Sequence, residues 1–83
     1  DAVADMIDVG VKLGMFRQAG AWYYAVDENG EEIGYQGKAK FRAYLENSKD
    51  AFEMYWNNMN SLLSKEDDEE ESKYLKSIFE SDE

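Results

Sequence analysis

The 83 residues include no cysteine, no histidine and no proline. Without cysteine, neither disulfides nor thiolate metal sites can staple the fold. With histidine missing as well, the usual nucleophile–base pairs and most transition-metal sites are excluded. No proline bars any segment from a helix. Long apolar runs are also absent: none approaches the ~20 residues of a membrane span, and nothing resembles a signal peptide. The chain therefore reads as soluble and cytoplasmic, with no membrane partner.

What the sequence does have is bulk. Two Trp, six Tyr, four Phe and four Met supply the core of one small domain near the lower size limit for folding without staples. The net charge is −10 and unevenly spread. Residues 64–83 carry nine acids against three lysines, whereas residues 1–63 carry ten acids against six bases. A free-standing nucleic-acid binder is normally basic. Any DNA contact must then rest on a local patch, with the acidic end competing against it. The chain opens at Asp1 without an initiator Met and with helical spacing already under way, so it reads as a piece of a longer protein.

Val3, Met6, Ile7 and Val11 mark one face of a helix from about Val3 to Leu13, with Gly14 as its stop. Phe16 to Ala19 is a short strand, and Gly20 a bend. Trp22 to Val26 is aromatic and β-branched, Asp27-Glu28-Asn29-Gly30 holds the Asn-Gly turn signal, and Glu31 to Tyr35 returns as the partner strand. Gly37 opens a helix to about Leu45, with Phe41, Tyr44 and Leu45 on one face. Asn47 and Asp50 suggest a capping box for a last helix from about Ser48 to Leu63, with Phe52, Tyr55, Trp56, Met59 and Leu63 as its buried stripe. The expectation is an α+β fold: helix, three-stranded antiparallel sheet, two helices. Glu66, Asp67, Asp68, Glu69, Glu70 and Glu71 form a self-repelling, solvated run. Tyr74, Leu75, Ile78 and Phe79 beyond it have the spacing of a short amphipathic helix.

Catalysis finds little support in these residues. The many carboxylates lie in turns and the charge run, where solvated surface is the better reading. Gly37-Lys38 lacks the glycine spacing and the Ser/Thr of a phosphate-binding loop. We expect no catalytic residue, no metal and no cofactor in this segment. Lys38, Lys40 and Arg42 cluster at the start of the second helix, where Lys38 and Arg42, four apart, project from one side. The helix N-terminus suits a phosphate, and Gly37 lets backbone approach closely. On the residues alone, ordinary solubilising charges are the better reading of this cluster. Trp22, Tyr23 and Tyr24 have the look of a stacking platform for bases, but a domain this small favours Trp22 in the core. Phe52, Tyr55, Trp56 and Met59 are expected in the core too, with Tyr55 at its edge.

Four short stretches in order add a further reading: Asp8-Val9-Gly10-Val11-Lys12, Ala19-Gly20-Ala21-Trp22-Tyr23, Glu32-Ile33-Gly34 and Gln36-Gly37-Lys38-Ala39. Together they resemble the C-terminal domain of the RecA family of bacterial recombinases, over roughly Asp5 to Leu63. The resemblance implies the same α+β order, an acidic C-terminal tail, and a domain that gathers duplex DNA for the ATPase filament through lysines near the hairpin and the Gly-Lys step. Gly37 and Lys38 carry over directly. Gln18 stands where that family often has a lysine, Glu32 where a basic residue is common, the Asp27–Gly30 turn is longer and more acidic, and Tyr35 looks inserted. These departures imply weaker duplex binding, with Arg17 as a candidate to compensate for Gln18.

The expected organisation is a RecA-like C-terminal domain over residues 1–63 and an acidic tail over 64–83. Its expected role is to recruit double-stranded DNA to a recombination and repair filament, under regulation by the tail. By the resemblance, the parent is a DNA-dependent ATPase of the SOS response, from a phage or another divergent lineage, with ATP and Mg in a core outside this segment. The expected DNA-binding residues are Lys38 and Gly37, followed by Lys40, Arg42, Arg17 and Lys12. The rival reading is an acidic protein-interaction module with no DNA binding of its own.

Overall fold

A computed structural model describes residues 1–64. Along the chain come α1 (Ala2–Lys12), β1 (Arg17–Ala19), β2 (Trp22–Val26), β3 (Glu32–Gln36), α2 (Lys38–Asn47) and α3, over residues 49–64. The strands form one antiparallel sheet in the order β1-β2-β3. This is the α+β architecture expected. The acidic run from Glu66 to Glu71 and the stripe from Tyr74 to Phe79 lie outside the described residues.

Local chemistry accounts for the element ends. Asp1 caps α1, its Oδ1 accepting from the Ala4 N–H at 2.9 Å, and Lys12 sits in the last turn, where the helix dipole favours a cation. The hairpin closes through Asp27, whose carboxylate accepts from the Asn29 and Glu31 N–H groups, both at 2.9 Å. Gly30 donates back to the Asp27 carbonyl with φ of 80°, and no non-glycine residue here has positive φ. Asn-Gly thus serves a three-residue loop, a type I turn plus a left-handed glycine, rather than the two-residue loop in which both central residues need positive φ.

The register assigns the two sheet faces. Arg17, Tyr24 and Gly34 stand in one cross-strand row, and Gln18, Tyr23 and Tyr35 in the next, on the opposite face. Ala25 is buried on the inner face, where Tyr23, Ile33 and Tyr35 pack against the core. Trp22, expected in the core, is instead on the outer face and 42% exposed. The strand period leaves no choice: with Ala25 and Tyr23 inward, Trp22, Tyr24 and Val26 must face out.

The core joins α1, the sheet, α2 and α3 through Met6, Ile7, Phe16, Ala25, Phe41, Leu45, Ala51, Tyr55 and Met59. Phe16 lies edge-on to Phe41 and Tyr55, at centroid distances of 4.8 and 5.1 Å. Two expectations for α3 are corrected. Its cap is Ser48, not Asn47: the Ser48 Oγ accepts from the Ala51 N–H at 3.2 Å, while Asn47 ends α2. Its buried stripe is Ala51, Tyr55 and Met59, at i, i+4 and i+8, with Tyr55 at the centre and only 2% exposed. Trp56, one residue and about 100° further round, is 40% exposed, and Phe52, stacked on it at 6.1 Å, is half-buried. The Tyr55 hydroxyl donates to the Val26 carbonyl at 3.0 Å, so the Tyr44 hydroxyl, 3.1 Å away, is the donor to Tyr55. Burial pushes the Tyr55 hydroxyl far above its ordinary range, and the Tyr44 hydrogen bond adds to this.

Candidate nucleic-acid interface

The Gly-Lys step is a helix start. Gly37 is the N-cap of α2 with φ of 89°, a conformation that only glycine adopts without strain, and its N–H donates to the Ala21 carbonyl at 2.7 Å. No side chain caps this end, and its first turn holds no acid. The helix start thus presents amide groups and the positive dipole end, with Lys38 as its first residue.

Lys38 reaches back to α1, donating to Asp8 Oδ1 at 2.7 Å. Asp8, Val11 and Lys12 of α1, Gln18 of β1 and Tyr23 of β2 line an open pocket of about 370 Å³. Lys38 contacts the Asp8 carboxylate, and Lys12, one turn further along α1, is near enough for its charge to act on it. The Lys38 hydrogen bond holds Asp8 below the usual carboxylate value, against some desolvation, and the charges of Lys38 and Lys12 act in the same direction. The hydrogen bond to Asp8 raises Lys38, while the Arg42 charge lowers it slightly. Lys38 and Arg42 therefore share a field, as their spacing on α2 suggested.

The other candidate cations are distributed differently. Arg42 is held by Asp1 and, at 2.6 Å, by Glu46. Among the described residues, Lys12 and Lys40 have no carboxylate within ion-pair distance. Arg17 lies on the outer face of the sheet, bound to Glu32 at 3.2 Å with its guanidinium 4.1 Å from the Tyr24 ring centroid. It does not stand in for Gln18, because adjacent strand residues face opposite ways. The partner that Arg17 answers is Glu32, so it offsets that departure and not the one at Gln18. Tyr35 is accommodated indoors, stacked on Tyr44 at 5.0 Å.

Sequence reasoning missed Asp8, which lies thirty residues from Lys38; no local pattern announces so distant a contact. Among the described residues no group of three or more His, Cys, Asp or Glu could hold a metal, and no helix is long and apolar enough to cross a membrane. What the arrangement can do is bind an anion: a phosphate at the start of α2 meets amide groups and Lys38, provided that it displaces or tolerates Asp8.

A family model described as the RecA C-terminal domain matches residues 4–60. A protein named Protein RecA from a Nocardioides species is 47% identical over 45 residues, which is 54% of this chain but only 12% of that protein's length. No solved structure matches. The matched span takes in most of α1, the whole sheet, α2 and most of α3, together with the pocket and the Gly-Lys step. This chain belongs to the RecA C-terminal domain family.

Proposed function

We propose that this domain recruits double-stranded DNA to the filament of a RecA-like recombinase, and that its acidic tail restrains the uptake. The parent is a cytoplasmic, DNA-dependent ATPase of recombination and repair, with ATP and Mg bound in a core outside this segment. One observation carries the reading: Lys38, paired with Asp8, stands at a helix start that no side chain caps, beside an open pocket that Asp8 and Lys12 line. A duplex phosphate there receives the α2 amides and the Lys38 ammonium. Lys40, exposed and without an ion pair among the described residues, and Arg42, whose charge reaches Lys38, extend the positive field. Glu66 to Glu71 compete for the same cations, and the competition fades as salt rises, because the screening length is only about 8 Å at physiological ionic strength.

The rival, an acidic module that binds protein rather than DNA, draws on a specific observation as well: Arg17, Lys38 and Arg42 are all tied to carboxylates. Titrating a labelled duplex at low salt separates the two. On our reading a chain ending at Leu63 binds more tightly than the full chain, and Lys38→Ala weakens it. Equal, negligible binding by both chains decides for the rival.

A further inference from the structure

We infer that the outer face of the sheet is a second binding surface, which takes the unpaired bases of a single nucleic-acid strand by stacking. It lies on the opposite side of the sheet from the Asp8–Lys38 pocket and does not rest on the duplex reading.

The face is built as a flat shelf. Trp22 and Tyr24, two residues apart on β2, hold their rings nearly parallel, at 19° with centroids 6.2 Å apart. Gly34 sits beside Tyr24 in the register, and a Cβ there would come within 2.8 Å of the Tyr24 ring and 3.6 Å of Trp22. Its lack of a side chain is what lets both rings lean across β3. From the other side Arg17 lays its guanidinium over Tyr24 and is steadied by Glu32. The platform is thus ordered before any ligand arrives, yet Trp22 remains 42% exposed. An exposed indole stacked next to a tyrosine that carries a guanidinium on its ring is a surface on which bases stack, whatever their sequence.

Charge selects among occupants. Arg17 and Glu32 cancel, so the shelf itself is neutral and does not repel a polyanion as the molecule at large does. At its Trp22 end Gln36 lies opposite Trp22, and the next residues are the Gly37 cap and Lys38 at the positive end of α2. A strand stacked on Trp22 continues its phosphates toward the α2 amides, while the Lys38 ammonium stays turned to Asp8 on the other side of the sheet. A flat, neutral shelf that leads to an anion-binding helix start suits a single strand better than it suits a peptide helix, which needs a groove.

The test uses the full chain with Trp56→Phe, so that Trp22 is the sole indole. A single-stranded oligothymidylate of about twelve nucleotides and a blunt duplex of the same length are titrated against Trp22 emission. We expect saturable quenching by the single strand, losing no more than about fivefold in affinity for a tenfold rise in salt, the loss for one phosphate contact. By anisotropy of a labelled oligothymidylate, Trp22→Ala weakens binding about tenfold or more, with the far-ultraviolet circular dichroism unchanged because the side chain is largely outside the core. Lys38→Ala weakens duplex binding but changes the quenching by the single strand less than about threefold, so the two readings fail separately. The inference is overturned by absence of saturable quenching, by equal and steeply salt-dependent quenching with duplex, or by a concentration-dependent Trp22 shift without nucleic acid, which would assign the face to a second copy of the chain.

Discussion

Asp8→Asn is the most informative single change, because it keeps the shape of the side chain and removes one negative charge. In the structure Asp8 holds the Lys38 ammonium at 2.7 Å and senses Lys12 as well. If a phosphate binds at the start of α2, the carboxylate competes for the same ammonium and repels the ligand. A unit charge about 6 Å from a phosphate in bulk-water dielectric alters the binding constant about threefold. Screening lowers this to about twofold near physiological salt. Asp8→Asn should therefore tighten duplex binding about threefold at ~10 mM salt and less at higher salt. The same change in a Lys38→Ala background should have a smaller effect, since much of the competition passes through that ammonium. Anisotropy of a labelled duplex across a salt series measures all four proteins. Weaker binding by Asp8→Asn would refute the reasoning: Asp8 would then be holding Lys38 in its productive position, and the ion pair would be part of the site.

Three further outcomes are expected. Tyr55→Phe removes the hydroxyl that donates to the Val26 carbonyl and accepts from Tyr44, and should cost about 1–2 kcal/mol in urea unfolding with an unchanged slope. Gly10→Ala places a Cβ within 2.5 Å of the Phe16 ring and should destabilise by about 1–3 kcal/mol through overpacking, whereas the same change at exposed Gly20 meets no neighbour within 4 Å and acts only through its backbone. For pH, the depressed Asp8 contributes stability that is present above its unfolded value of 3.8 and lost as pH falls through the folded one. The raised Lys38 contributes below 10.5 and is lost as pH rises through its folded value. Carboxyl NMR titration of Lys38→Met should return Asp8 toward 3.8, and an unmoved Asp8 would deny the contact.

Most of the fold was legible because local chemistry and tertiary packing agree. Trp22–Val26 was bounded correctly by its aromatic and β-branched run, and Gly14 and Gly37 marked the helix ends. What failed was the choice of side. Trp22 has every property of a core residue, but the face of a strand is set by which neighbours are covered, and here the helices cover the Tyr23 and Ala25 face. The same holds for α3, where Phe52, Tyr55, Trp56 and Met59 span about 100° of the helix, but the buried arc is centred on Tyr55 and takes in Ala51 rather than Trp56. The sequence supplies two candidate stripes, and packing against Phe16 and the Val26 carbonyl selects the one through Tyr55.

The site was legible in kind but not in grouping. Lys38 and Arg42 share a field because a helix places residues four apart on one side, and that much is local. The pairing is otherwise long-range: Arg17 goes with Glu32, Arg42 with Asp1 and Lys38 with Asp8, while Arg42–Glu46, four apart on α2, is local. In an acidic chain each of these pairs lowers the repulsion that the fold must bear, yet each is exposed and therefore easily exchanged for another anion. The proposed uptake site requires that property of Arg17, Lys38 and Arg42: they are neither bare, which would invite every polyanion, nor buried in pairs that no phosphate could open. If the proposed uptake holds, Asp8 beside Lys38 and the run from Glu66 to Glu71 act in the same sense, and the order in which salt releases them distinguishes their contributions. Loss of the tail should remove the steeper part of the salt dependence and leave the shallow part set by Asp8, since six consecutive acids are screened together while a single carboxylate in contact is screened least.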